Sequence, residues 1–317
     1  MATKFKKAEI TQAKLKIGFY GGPGSGKTFT ALMVATNLGK TALIDTEHGS
    51  DFYASRYPFD VLHTKSLQEA KEAIIEIGAS DYDCLIIDSI THLWESPQAA
   101  FLEKLARQGK SRDLQFQDWR VIKKPYKEFI NDLLNLNKHV FLIGRMGAEY
   151  SMDGGQLVKV GDKMKAEAET PYEPHVLIKM EIVKKGNDEH AVGTHLAYFE
   201  KDRSSMMEGV TVENPTFETF KPILTLLKSG QQPQMATESQ TSEKDQELFD
   251  AEEKKLKELQ ESSYRMKEDY TKRIMEAPDR NILKKIAADI EKAKSKMLEE
   301  DTKALRVEYM KKNEILK

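Results

Sequence analysis

Gly21-Gly22-Pro23-Gly24-Ser25-Gly26-Lys27-Thr28 stands between an apolar run, Lys16 to Tyr20, and an amphipathic stretch, Thr28 to Leu38. It fits Gly-x-x-x-x-Gly-Lys-Thr, the P-loop that wraps phosphates where a strand turns into a helix. The glycines let backbone amides turn inward, and the helix N-terminus adds the positive end of its dipole. Lys27 is placed to reach the β- and γ-phosphates and the Thr28 hydroxyl to ligate magnesium, so ATP with Mg2+ is the expected ligand pair. The expected nucleotide-binding set is Gly21, Gly22, Pro23, Gly24, Ser25, Gly26, Lys27, Thr28 and Phe29.

Outward from this loop, residues 14 to about 228 alternate short apolar runs with amphipathic stretches. That pattern predicts an α/β core, a mainly parallel sheet with crossover helices. Strands are expected at Lys16 to Tyr20, Thr41 to Asp45, Asp60 to His63, Cys84 to Asp88, His139 to Ile143 and His175 to Ile182, with an antiparallel addition at Thr194 to Phe199. Helices are expected at Thr28 to Leu38, Ser66 to Ile77, Gln98 to Arg107, Trp119 to Leu136 and Pro215 to Leu227.

Cys84-Leu85-Ile86-Ile87-Asp88-Ser89 is an apolar strand with an acid at its tip, the pattern that supplies a second magnesium ligand, so Asp88 is the Walker B candidate. Glu47 ends the strand Thr41 to Asp45. A carboxylate at the C-terminal edge of a neighbouring strand faces the phosphate crevice, which makes Glu47 a candidate base for the attacking water.

The 317 residues are 39% hydrophobic and carry a formal charge of −2, which fills an ordinary core but offers no global attraction to nucleic acid or anionic membrane. The apolar runs are too short to cross a bilayer, and Met1 to Lys16 lacks the core of a secretory signal, so a cytoplasmic protein with no membrane partner is expected. Cys84 is the only cysteine and reads as a buried, inert thiol. Residues 229–242, rich in Gln, Ser and Thr, read as a flexible linker. Residues 243–317 mix both charge signs at high density, and Pro278 divides them into an expected helical hairpin with Leu256, Leu259, Ile282, Ile286 and Ile290 along the seam.

These residues together resemble a family. Ile44-Asp45-Thr46-Glu47-His48, followed by Asp51-x-Tyr53-Ala54, is similar to the strand end of the recombinase RecA whose glutamate activates water, and Leu85 to Ser89 resembles its Walker B strand. Val140 to Met146 sits where the family's sensor strand ends in a glutamine. Gly144 and Arg145 stand there instead, and Arg145 is a candidate phosphate contact. Tyr198 to Arg203 resembles the strand that inserts two cations into a neighbouring subunit's ATP site, making Lys201 and Arg203 candidate trans fingers of a ring or filament; the other reading is a solvated basic turn.

The P-loop strand begins within some sixteen residues of Met1, so the RecA N-terminal oligomerisation domain is expected to be absent. With Asn214-Pro215-Thr216-Phe217, the chain looks most like the phage-encoded, core-only RecA-like ATPases of recombination and single-strand annealing.

The resemblance implies two DNA-facing loops, at residues 108–120 and 147–169. The first carries Lys110, Arg112, Gln115, Phe116, Gln117, Trp119 and Arg120, and the second Tyr150, Lys159, Lys163 and Lys165. Cations beside aromatics suit single-stranded DNA, although Phe116 and Trp119 at helical spacing also read as anchors of the following helix. Gly147, Gly154, Gly155 and Gly161 predict a mobile second loop. The expected function is a magnesium-dependent, oligomeric ATPase acting on single-stranded DNA. The alternative is a motor or regulatory ATPase whose protein partner docks on residues 243–317.

Overall fold

Along Cys84 to Asp88 successive side chains point to opposite faces, as a pleated strand requires. Cys84 and Ile86 join one buried cluster, and Leu85 and Ile87 join another. A strand apolar on both faces belongs at the centre of a three-layer structure. The computed structural model, which describes residues 14–184, 193–229 and 243–316, has that form. Contacts divide the chain into two units, Met1–Ala236 and Thr237–Lys317.

The first unit runs β1 (Lys16–Gly21), α1 (Lys27–Leu38), β2 (Thr41–Asp45), β3 (Asp60–His63), α2 (Leu67–Ala79), β4 (Cys84–Asp88), α3 (Ile90–Arg107) and α4 (Phe116–Asn135). It continues with β5 (His139–Asp153), β6 (Gln156–Met164), β7 (Val176–Val183), β8 (Thr194–Asp202), β9 (Thr211–Glu213) and α5 (Phe217–Lys228). The sheet order is β3-β2-β4-β5-β1-β7-β8-β9, with β6 paired to the outer part of β5. From β3 to β7 all neighbours are parallel, and β8 and β9 add antiparallel. One strand, β5, separates the P-loop strand β1 from the acidic strand β4. α1 and α5 cover one face through Leu32, Val34, Phe220 and Ile223. α2 to α4 cover the other through Ile74, Leu93, Phe129 and Leu133. Full burial of a side chain such as Phe129 stabilises by about 2 to 3 kcal/mol.

Three expectations in this unit are corrected. α3 begins at Ile90 rather than Gln98 and runs through Pro97. Ile90, Thr91 and Leu93 are fully buried, and their packing outweighs the hydrogen bond that proline removes. β5 does not stop at Ile143. It continues to Asp153, turns at Gly154 and Gly155, both with positive φ (56° and 84°), and returns as β6. The second loop is therefore a two-stranded ribbon over Met146 to Met164, with Gly147 and Gly161 inside its strands.

In the second unit, α6 (Glu243–Glu276), α7 (Arg280–Ala293) and α8 (Glu299–Ile315) replace the expected hairpin of two helices. Neither proline nor glycine marks the second break; Met297 and Leu298 are extended there, and Leu298 precedes α8. The third helix supplies Leu305 to a core of Ile274, Ala277, Leu283, Ile286 and Met297. Ile286 and Ile290 pack there as the seam predicts, but Leu259 and Ile282 are exposed, because the buried stripe of α7 is Leu283, Ile286 and Ile290. Leu256 and all but the first residue of the 229–242 linker lie outside what the structure describes at side-chain level. Among the described residues, no helix is long and apolar enough to cross a membrane.

Candidate active site

Backbone geometry reserves the P-loop for glycine. Gly24 and Gly26 have φ of 71° and 94°, and a Cβ on Gly21 would lie 2.0 Å from the Met180 carbonyl oxygen. Gly26 caps α1, whose first turn directs unpaired N–H groups into the loop. Lys27 Nζ donates to the carbonyls of Gly22 (2.8 Å) and Gly21 (3.1 Å). Burial lowers its pKa, opposed by the charges of Asp88 and Glu47.

The pairing of β2 with β4 sets Asp45 beside Asp88, so both acidic strand ends open on one crevice. Thr28 Oγ1 donates to Asp88 Oδ2 at 2.5 Å. Burial pushes Asp88 up to about 6, against the pull of the Thr28 hydroxyl. A buried carboxylate beside a threonine hydroxyl is an oxygen donor pair that suits a hard divalent cation. The residues present fit magnesium-ATP: Lys27 and the loop amides would hold the phosphates, and Thr28 and Asp88 the metal.

Asp45 builds the turn that carries Glu47. Its carboxylate accepts from the backbone N–H of Glu47, His48 and Ser50 and from the Ser50 hydroxyl, at 2.6–2.9 Å. Burial raises its pKa, but these four bonds outweigh it and hold Asp45 below the ordinary value. Thr46, fully buried, ties this turn to β4: its N–H donates to Asp88 O (2.7 Å), and its hydroxyl accepts from Ser89 N (2.9 Å) and bonds His92 Nδ1 (2.7 Å).

Glu47 itself meets Arg145, Nε to Oε1 at 2.9 Å. Burial pushes Glu47 up, but the bond and charge of Arg145 prevail and leave it lower than usual. The side chain of Arg145, the candidate phosphate contact, lies on the candidate base, with its backbone beside Gly21 in the sheet.

A cavity of about 600 Å³ adjoins the loop, lined by Lys27, Phe29, Tyr53, Arg56, His195, Asn214 and Pro215. Phe29 packs edge-on against Tyr53 and Tyr57, and Arg56 lies over its ring. Its volume and mixed aromatic and polar lining suit a nucleoside. Arg56 and His195 escaped the sequence reading. His195 Nδ1 is 3.0 Å from Ser25 O, a contact between residues 170 positions apart that only the fold creates.

Lys201 and Arg203 lie elsewhere. β8 runs antiparallel, so its Lys201 end pairs with Leu177 at the start of β7, the sheet edge opposite the P-loop. Lys201 Nζ donates to the carbonyls of Tyr172 and Pro174, and Arg203 also reaches Tyr172 O.

Of the expected DNA-facing residues, Arg112 is engaged by Asp118 through two bonds (2.6 and 3.0 Å), which also caps α4. Trp119 stacks on Trp94 as a helix anchor, whereas Phe116 is 95% exposed. On the ribbon, Tyr150, Met152 and Leu157 are exposed; Lys159 pairs with Asp162, and Lys165 with Glu95.

No curated relative matches the chain. Among solved structures, a KaiC-like protein from the hyperthermophilic archaeon Pyrococcus horikoshii OT3 is similar at 12% identity with a TM-score of 0.38, over 65% of this chain and 94% of that one. The profile described as the AAA domain matches residues 13–205, more than half of the chain. This protein, with its P-loop at one end of a mainly parallel sheet, belongs to the AAA domain family.

Proposed function

We propose that the protein is a magnesium-dependent ATPase that hydrolyses ATP at subunit interfaces and binds single-stranded DNA in recombination or strand annealing. The observation that carries the hydrolytic part is the meeting of Lys27, Thr28, Asp88 and Glu47 at one edge of the sheet. Lys27 and the α1 amides neutralise the phosphates, Glu47 accepts a proton from the attacking water, and Thr28 and Asp88 would hold a magnesium ion, which would supply further positive charge there. Lys201 and Arg203, remote from their own P-loop, supply positive charge to a neighbour's nucleotide.

The DNA part is supported by the ribbon. Tyr150 at its exposed surface, paired in register with Lys159, offers a stacking face, and Lys159 and, further along the same strand, Lys163 offer cations for the backbone. The test is phosphate release by the full chain with magnesium-ATP, with and without a single-stranded oligonucleotide. Stimulation and ATP-dependent DNA binding are expected. Neither occurring would leave a different reading, a motor or regulatory ATPase with a protein partner on the C-terminal helices. That reading is favoured by the exposure of Val307, Met310 and Ile315 on α8.

A further inference from the structure

Thr46 and His92 belong to no phosphate-binding pattern, yet they meet where the two acidic strands leave the sheet. Thr46 follows the last residue of β2 and precedes Glu47, and His92 lies in the first turn of α3, the helix that begins directly after Asp88 and Ser89. Thr46 Oγ1 is 2.7 Å from His92 Nδ1. The same oxygen accepts from Ser89 N at 2.9 Å, and Thr46 N donates to Asp88 O at 2.7 Å. One residue thus grips both polar atoms of the peptide that joins Asp88 to Ser89.

Thr46 is fully buried, so its hydroxyl must be satisfied by the protein. With Ser89 N on a lone pair, its own hydrogen is left for the His92 ring, which holds the hydroxyl in one orientation. Burial, then the charge of Arg145 and more weakly that of Lys65, lowers the His92 pKa against the pull of Glu47 and Glu95, so the neutral ring is the form that receives this hydrogen. Glu47 is held from its other side by Asp45, whose carboxylate takes the N–H of Glu47 and of His48. Asp45 fixes the shape of the turn, and Thr46 fixes its distance from the strand that carries Asp88. A base and a metal ligand that serve one reaction must keep a set separation, and an error of about 1 Å there costs up to about a hundredfold in rate.

We propose that His92 is a positioning residue of the catalytic site: by holding the Thr46 hydroxyl on the Asp88–Ser89 peptide, it fixes Glu47 relative to Asp88. This rests on the reading of Glu47 as the base and gives the ring no contact with substrate. The constraint is local to the crevice, because Thr46, Ser89 and His92 all lie within the ends of β2 and β4 and the start of α3.

The experiment measures steady-state phosphate release by the full-length protein with magnesium-ATP, expressed per site titrated with a fluorescent ATP analogue. His92→Ala is expected to lower kcat about tenfold, the scale of one buried hydrogen bond, with KM and analogue affinity changed by less than about twofold. His92→Asn, whose amide oxygen stands in for Nδ1, is expected to recover most of that loss. Thr46→Val, which removes the hydroxyl from both partners, is expected to lower kcat at least as far. In a double-mutant cycle, His92→Ala should cost nothing further once Thr46→Val is present, because the ring acts through that hydroxyl. An unchanged kcat in His92→Ala overturns the proposal, as does additivity in the cycle. A rise in KM with kcat unchanged also overturns it and makes His92 a nucleotide contact. So does a loss in His92→Asn equal to that in His92→Ala, and this last comparison decides should Thr46→Val fail to fold. Failure of the underlying reading shows separately: hydrolysis at the wild-type rate in Glu47→Gln removes the base, and a wild type that binds ATP without turning it over removes the hydrolytic site, whatever His92→Ala does.

Discussion

The two edges of the sheet hold their cations in opposite ways. At the C-terminal edge, Lys27, although its Nζ also donates to the Gly21 and Gly22 carbonyls, sits within the field of Asp88 and Glu47, and Arg145 is paired with Glu47. At the N-terminal edge, the acceptors are backbone carbonyls: Leu133, Leu136 and Lys138 for the buried Lys16, and Tyr172 and Pro174 for Lys201. A carbonyl orients an ammonium without cancelling its charge, whereas a carboxylate does both. The first edge is therefore arranged to balance charge within the subunit. The second surrounds its cations with carbonyls: burial pulls the pKa of Lys16 down to about 7, and Lys201 and Arg203 are, in our reading, held for a neighbour's phosphates.

The largest effect that sharpens this contrast is expected from Glu47→Gln. Turnover measured by phosphate release should fall by about a hundredfold to ten-thousandfold with ATP binding retained, the range for a lost general base. Hydrolysis at the wild-type rate would break the assignment of that edge as catalytic. At the opposite edge, Lys201→Ala should lower turnover about a hundredfold while leaving the affinity for ATP nearly unchanged, a conservative figure for a cation supplied in trans. Mixing it with Lys27→Ala subunits should restore part of the activity, because each mutant supplies the half-site the other lacks. An absence of complementation would place Lys201 outside any shared site and reduce the contrast to one of packing.

The smallest effect concerns stability. His139 begins β5, and its Nδ1 accepts the Leu15 N–H at 2.9 Å, which requires a neutral ring. Burial, with the charges of Lys14 and Lys16, pushes its pKa down from 6.5 to about 4. The folded state thus binds fewer protons than the unfolded state between these values, so stability is present above pH 6.5 and is lost as pH falls towards 4. Melting temperatures across that window should fall less in His139→Gln, whose amide oxygen can take the Leu15 N–H. An identical slope in the variant would show that acid sensitivity originates elsewhere, His175 being the next buried histidine shifted the same way.

Features written in local sequence were legible. The glycines, Lys27 and Thr28 form one continuous motif, and Asp88 and Glu47 end apolar runs whose length marks them as strands. Residues that act through distant contacts were not. His195, Arg56 and His92 sit in unremarkable stretches and gain meaning only when the sheet brings β8, the turn after β2 and the start of α3 to the P-loop edge. Punctuation also misled. The helix expected from Gln98 begins at Ile90 because burial of Ile90 and Leu93 carries it through Pro97, and the glycines after Arg145 looked like a loose loop although two of them make a hairpin turn.

β5 runs without interruption for fifteen residues, from His139 to Asp153. At about 3.3 Å per residue it is a beam of roughly 50 Å. Its first third is clamped between the strands that bear the P-loop and the Walker B acid, and its far end pairs with β6. A single unbroken backbone therefore forms both one wall of the crevice and one strand of the ribbon, so the two regions cannot be separated by the loss of a loop.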